Sequence, residues 1–254
     1  DWGAWLEPEV LATSWSGGRA PRLPVTFEAL PEAAWRPLLA LEDHRFFDHA
    51  GVSGRALARA ALENLKAGGV VQGGSTLTQQ LVKNRDLTAR RGLDRKASEA
   101  VRALALEAAH DKEAILEAYL NTVYYGHVDG VGVYGIGRAS RVWFGKPASA
   151  LELHEGALLA ALVQGPNALH PVRHPDAARA RRDRALDRMV ELGWASAREA
   201  ARAKARPLGV RPRTPPREAT RHLLDRVQQV VRDDAARRLD KGLGFEVDTT
   251  IDPW

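Results

Sequence analysis

Apolar residues recur at helical spacing through most of this chain. In EAAWRPLLALEDHRFF they place a helix from about Glu32 through Glu42, opened by Pro31. Ser53 is expected to cap a second helix, Gly54 to about Ala67, with Leu57, Ala61 and Leu65 on one stripe and Arg55, Arg59 and Lys66 off it. Ser75 caps a third through Asn84, and a long helix follows over about Asp94 to His110 on the stripe Ala97, Val101, Leu104 and Ala108. Asp111 caps KEAILEAYLN, whose Ile115, Leu116, Tyr119 and Leu120 read as core. Ser149 and Glu152 form a capping box for the apolar LHEGALLAALVQ, and Ser196 with Glu199 forms another after a charged helix over Asp176 to Leu192. Beyond a Pro-rich hinge, Arg206 to Pro216, a further amphipathic helix covers roughly Glu218 to Leu239. Strand-like alternation is confined to LPVTF near the start and FEVDTTIDPW at the end. The class expected is therefore mainly α, with few short strands.

Composition narrows the picture. With 254 residues, 44% of them hydrophobic, the chain can bury a real core. Lys and Arg (37) exceed Asp and Glu (32), and the excess is concentrated between Arg173 and Arg217, thirteen basic residues against five acidic. Such a flank seeks an anionic partner: nucleic acid, a membrane surface or a phosphorylated substrate. The absence of cysteine excludes a disulfide framework and a thiolate metal site, and leaves the compartment open. No run approaches the roughly 18 apolar residues of a membrane span. Because Asp1 leads and Met189 is the only Met, the expectation is a fragment of a longer chain whose anchor lies outside it.

Candidate chemistry starts at Glu42. On a continuous helix its neighbours at four residues either way are Leu38 and Phe46, and desolvation by such neighbours is expected to raise a carboxyl above the roughly 4.3 of an unperturbed Glu, toward the range of a general base. The alternative is a helix-end acid with one oxygen in water. The string GGSTLTQQLVKN, from Gly73, puts Thr76, Gln79, Gln80 and Lys83 on one helical face behind a Gly-Gly-Ser turn, whose backbone N–H groups suit an anionic sugar phosphate. A well-capped polar surface face would read the same way. Arg90, Arg91 and Arg95 mark the polar stretch before the long helix, on which Arg95, Lys96 and Arg102 fall within one turn of Glu99; by itself this would be an ordinary salt-bridged helix face.

Four strings in order, EDHRFFDHAG at Glu42, GGSTLTQQLVKN at Gly73, RKASE at Arg95 and KEAILEAYLN at Lys112, resemble the signature motifs of the peptidoglycan glycosyltransferases, the transglycosylase module of class A penicillin-binding proteins. RASRVWFGK and ALLAALVQGPNALHP fit the family's fifth region, so the likeness covers about Glu42 to Pro171. Trp143 and Asp111 depart from the usual Tyr and Ser or Thr without touching the motifs' polar residues. The resemblance implies a lysozyme-like, two-lobed helical fold, divided as an N-terminal arm or linker over 1–29, the glycosyltransferase domain over 30–205, and over 206–254 a linker helix and the start of a truncated transpeptidase domain. No S-x-x-K or K-T-G occurs, so penicillin-binding chemistry is not expected of these residues.

The substrate so implied is lipid II, a disaccharide-peptide on a polyprenyl pyrophosphate, polymerised with inversion into glycan strands at the outer face of the bacterial cytoplasmic membrane. Glu42 would be the catalytic base and Glu99 the second carboxylate, ordering cations or stabilising the developing charge on the sugar. Lys83, Arg91, Arg95 and Lys96 would hold the pyrophosphate, while Ser75, Thr76, Gln79, Gln80 and Asn84 would position sugar and phosphate oxygens. Asp43 and His49 would brace the first motif. The resemblance leaves open a divalent cation, Mg or Mn, at the pyrophosphate, and further cell-wall synthesis proteins as partners. Two other readings remain: a lytic glycosidase of related fold using Glu42 as acid, which has no use for the cations around Glu99, and a nucleic-acid module on the basic stretch, which lacks an aromatic stacking platform beyond Trp194.

Overall fold

The computed structural model describes residues 23–54, 74–85, 93–128 and 131–212, all within one compact unit spanning Arg22–Pro212. Among these residues the elements are α1 (Glu32–Glu42), α2 (Leu77–Arg85), α3 (Leu93–Ala109), α4 (Lys112–Leu120), β1 (Tyr124–Val128), β2 (Val131–Tyr134), α5 (Ile136–Phe144), α6 (Leu153–Gln164), α7 (Pro175–Glu191) and α8 (Ala197–Ala205). The mainly helical class expected from the sequence is the one formed, with a single two-stranded sheet among the described residues. The helix expected over 54–67 lies, beyond Gly54, outside the described residues, as do the helix over 218–239, the closing strand and residues 1–22.

The centre of the molecule is α6. It is apolar on every side, and all its residues from His154 to Leu162 are buried, as expected of a helix with neighbours all round. α1 lies across it, with α7 against both. Helix α1 carries Pro37 in its interior, so Ala33 O lacks the N–H it would otherwise receive one turn on. Gly156 of α6 packs on that carbonyl so closely that a Cβ there would overlap Ala33 O. Arg182 of α7 is fully buried and its guanidinium donates to Lys204 O (2.9 Å) and Arg206 O (2.7 Å), closing the C-terminal end of α8.

Several local expectations are corrected. Helix α1 stops at Glu42, because Asp43 turns to φ −159°, ψ 70° and its carboxylate accepts the Leu77 N–H of α2 at 3.0 Å. Phe46, buried in the core, therefore sits on a separate 3₁₀ turn, Phe46–Asp48, and not one helical turn beyond Glu42. Thr76, not Ser75, caps α2: its Oγ1 accepts Gln79 N–H (3.2 Å) while Gln79 Oε1 accepts Thr76 N–H (3.0 Å), a capping box. Helix α6 is capped by Glu152 with Glu155, and Ser149 lies in the preceding 3₁₀ turn. The cap at Asp111 and the capping box of Ser196 with Glu199 form as expected. LPVTF forms no strand over its described residues, Leu23 to Phe27. Its Val25 instead pairs both backbone groups with the Asn121 side-chain amide (3.0 and 2.8 Å).

The largest correction concerns α3. Its expected core stripe of Ala97, Val101, Leu104 and Ala108 faces outward, with Val101 66% and Leu104 48% exposed. The inner face is built from Glu99, Ala103 and Glu107. Glu107 can be buried because Thr78 Oγ1 (2.6 Å) and Lys112 Nζ (2.7 Å) both donate to it, which removes the cost of an unsatisfied carboxylate. Ala103 is small enough for a close approach: Gly51, at φ +87°, sits against the Ala103 carbonyl, where a Cβ would come within 2.8 Å of the oxygen.

Candidate active-site cleft

Where α1 ends, a cleft of about 540 Å³ opens between the α2–α3 wall and a wall built from the end of α4, β1 and the end of α6. Glu42 lies in it as the last residue of α1. Ser75, Gln79, Gln80, Lys83 and Asn84 face it from α2 and the turn before it, and Lys96 and Glu99 from α3. The two acids singled out in the sequence thus share one cleft. Thr76 does not join them: it is buried, and its hydroxyl donates to Gly51 O at 2.6 Å. Arg91 lies outside the described residues. Arg95 is placed on α3 by its backbone alone.

The loop after Glu42 is stapled down. Asp43 accepts Leu77 N–H, and its carboxylate also receives His49 Nε2 at 3.0 and 3.1 Å. Because His49 Nδ1 accepts Gly51 N–H (3.1 Å), the ring is assigned its proton on Nε2, and that proton is donated to Asp43. Asp43 and His49 therefore brace the end of α1 against the start of α2. The same geometry leaves the N–H groups of Thr76, Leu77 and Gln79 closed to an anion, since Gln79, Asp43 and Thr76 already accept from them; Gly73 of the preceding turn lies outside the described residues.

Cations gather instead around the far end of α2 and the α3 wall. Lys96 Nζ donates to Ser75 Oγ at 2.6 Å and lies 3.5 Å from Glu99 Oε2. Lys83 is exposed and has no ion pair among the described residues. No group of three or more His, Asp or Glu among the described residues is placed to hold a metal ion.

Glu42 itself has two unlike oxygens. Oε2 accepts the Gln80 Nε2–H at 3.1 Å, whereas Oε1 is buried and has no hydrogen-bond partner among the described residues. An unpaired buried carboxylate oxygen costs free energy, and this one belongs to a residue that lines the cleft.

Sequence reasoning missed part of the lining. Tyr119, read only as core, is 1% exposed, yet its hydroxyl reaches Gln80 Oε1 at 2.8 Å. Burial first, and then the charge of Glu42, hold its phenol well above the ordinary tyrosine range. The signal was present, because a Tyr on a core stripe must find a partner for its hydroxyl. Tyr124 also faces the cleft and gave no pattern of its own; Gln164 and Pro166 face it too, and their string ALLAALVQGPNALHP was matched to the family without a role for either residue. Arg181 of α7 stands close enough for Glu42 to oppose the lowering that burial imposes on its guanidinium. Four cations of the basic stretch from Arg173 are paired within the domain: Arg182 with Asp183, Arg188 with Glu191, Lys204 with Asp187 and Arg206 with Glu152.

The described residues thus form a mainly helical domain whose cleft sets two carboxylates among lysines and amides. Which family it is follows from comparison: a family model described as Transglycosylase matches residues 9–190, and the chain belongs to that family. It is 38% identical over 248 residues to penicillin-binding protein 1B of Vibrio cholerae, covering 98% of this chain and 32% of that protein. With penicillin-binding protein 1F of Bacillus subtilis it shares 42% identity over 189 residues, 74% of this chain and 26% of the relative. Penicillin-binding protein 1A of Aquifex aeolicus is also 42% identical, over 194 residues. The chain thus spans between a quarter and a third of the length of these curated relatives. Among solved structures, penicillin-binding protein 1A from Haemophilus influenzae aligns with 86% of this chain and 22% of its own, at 21% identity and a TM-score of 0.47.

Proposed function

We propose that this module is a peptidoglycan glycosyltransferase, lengthening a glycan strand with lipid II, the disaccharide-peptide carried on a polyprenyl pyrophosphate. The observation that carries the reading is Glu42: one oxygen oriented by Gln80, the other buried without a described partner, in the same cleft as Lys83, Lys96 and Glu99. Glu42 takes the proton of the acceptor sugar's 4-hydroxyl as that oxygen attacks the anomeric carbon of the growing strand. The new C–O bond forms as the bond to pyrophosphate breaks, and attack from the opposite face inverts the configuration. Pyrophosphate leaves as a stable anion and needs positive charge more than a proton. Lys83 and Lys96 supply it, joined by Arg91 and Arg95 on the strength of the motif.

Glu99 holds Lys96 in place through their 3.5 Å pair. Ser75, Gln79, Gln80 and Asn84 meet sugar hydroxyls, acetamido groups and phosphate oxygens. We assign any divalent cation, Mg or Mn, to the pyrophosphate oxygens, since Mg²⁺ in such sites keeps several waters and is held largely through phosphate. We further propose that the module works against the outer face of the bacterial cytoplasmic membrane. Supporting this, α3 turns Val101 and Leu104 outward, as a surface that meets lipid would. No described helix is long and apolar enough to cross a membrane.

The test is Glu42→Gln, assayed for polymer from lipid-linked disaccharide with a parallel thermal melt. The expected loss is about 10²-fold or more at unchanged melting temperature, because positioned proton transfer contributes typically 10²–10⁴. Near-normal polymerisation would remove Glu42 from the role of base.

A further inference from the structure

Glu42, Gln80 and Tyr119 form a single chain of hydrogen bonds from three elements. The Tyr119 hydroxyl of α4 donates to Gln80 Oε1 (2.8 Å), and the other end of that amide donates Nε2–H to Glu42 Oε2 (3.1 Å). A primary amide can be turned either way, so which end faces a carboxylate depends on what holds the other. We infer that Tyr119 is a positioning residue for the transfer reaction, fixing the Gln80 amide with its NH₂ toward Glu42 and so aiming the Glu42 carboxylate into the cleft. This rests on Glu42 acting as the base.

Tyr119 is suited to the task because it cannot easily change its own role. It is nine-tenths buried or more, and burial together with the nearby Glu42 charge keeps its phenol protonated far above neutral pH. It therefore donates throughout the working range, and Gln80 Oε1 must be the acceptor. With that orientation set, Glu42 receives a hydrogen bond that stabilises its ionised form and fixes Oε2, leaving the buried Oε1 to meet the incoming hydroxyl.

Removing the phenol oxygen frees the amide. In Tyr119→Phe the carbonyl end of Gln80 can turn to Glu42 and accept from its protonated carboxyl, favouring the form that cannot act as base. Other charges near Glu42 are unaltered by this change: Arg181 of α7, Lys83 of α2, Lys96 and Glu99 of α3, and the adjacent Asp43–His49 pair. So are the phenols Tyr124 and Tyr125. A displaced pH profile therefore reports the amide.

The experiment follows polymerisation of lipid-linked disaccharide across pH 5 to 9 for the wild type, Tyr119→Phe, Gln80→Met, the double variant and Glu42→Gln, each with a melting curve. For Tyr119→Phe we expect kcat about tenfold lower at neutral pH and KM within twofold. Its acid limb should move up by about one pH unit, the scale of one lost hydrogen bond to a charged carboxylate. In the Gln80→Met background the second change should cost less than twofold, since both act through one amide. A Tyr119→Phe enzyme with unmoved pH profile, or losses that multiply in the double variant, overturns the inference. Should Tyr119→Phe fail to fold, Gln80→Met must by itself move the acid limb upward, and an unmoved limb there is equally fatal. An active Glu42→Gln enzyme would instead overturn the assignment of the base, which keeps the two failures apart.

Discussion

Gly156→Ala separates intrinsic helix preference from tertiary contact, because the two act with opposite sign. In an exposed helix the change would stabilise by about 1 kcal/mol, the usual penalty of Gly relative to Ala. Gly156, however, lies in the first turn of α6 where it meets α1, and an added Cβ would overlap Ala33 O and come within 2.8 Å of Ala33 C and 3.2 Å of Ala34 Cα. All three are backbone atoms, so no rotamer relieves the clash and the helices must part. Overpacking of a tight core contact costs typically 1–3 kcal/mol and occasionally more. Taking about 3 kcal/mol for a backbone-on-backbone contact and allowing for the propensity gain leaves about 2 kcal/mol of destabilisation. For a domain of this size that lowers the melting temperature by about 4–8 °C, at roughly 2–4 °C per kcal/mol. Polymerisation should fall as well, since α1 carries Glu42 at its end. Differential scanning calorimetry of the two proteins decides the matter: an unchanged or raised melting temperature would mean that α1 and α6 are not in contact at this glycine.

Two further outcomes follow from the packing. His170 donates from Nε2 to His127 O (3.1 Å) and accepts Val172 N–H and Arg173 N–H on Nδ1 (both 3.3 Å), an arrangement only the neutral ring can make; burial, the leading cause, holds its pKa below the ordinary 6.5. The stability it contributes is present above about pH 6.5 and is lost as the pH falls toward the depressed folded value, so His170→Gln should flatten the fall in urea midpoint between pH 7 and 5, and an unaltered slope would count against it. The paired substitution Val101→Ser with Leu104→Ser replaces two outward apolar side chains of α3 and should reduce sedimentation with anionic liposomes severalfold while leaving the melting temperature within about 1–2 °C, as surface changes usually do; undiminished sedimentation would remove α3 from the membrane-facing surface.

Much of the cleft was legible in the chain. Glu42, Gln80 and Lys83 were marked by type and spacing and Lys96 and Glu99 by their place in the family motif, and all five line one cleft. Helix positions were legible too, because the 3.6-residue period and the caps at Asp111 and Ser196 are local properties that a stretch of sequence carries alone. Which way a helix turns is not local. The apolar stripe of α3 suggested Val101 and Leu104 inward, yet Thr78 and Lys112, from two other helices, satisfy Glu107 and allow its carboxylate to face the interior instead.

The sequence by itself determined the helical class, the family motifs and the residue types that the reaction needs, since these depend on neighbours a few positions apart. Only the tertiary structure decided that Asp43 and not a ligand holds the start of α2, and that Tyr119 reaches Glu42 through Gln80. The physical reason is that a hydrogen bond between residues 34 or more positions apart is set by how whole helices pack. That packing rests on contacts such as Gly156 against the Ala33 carbonyl.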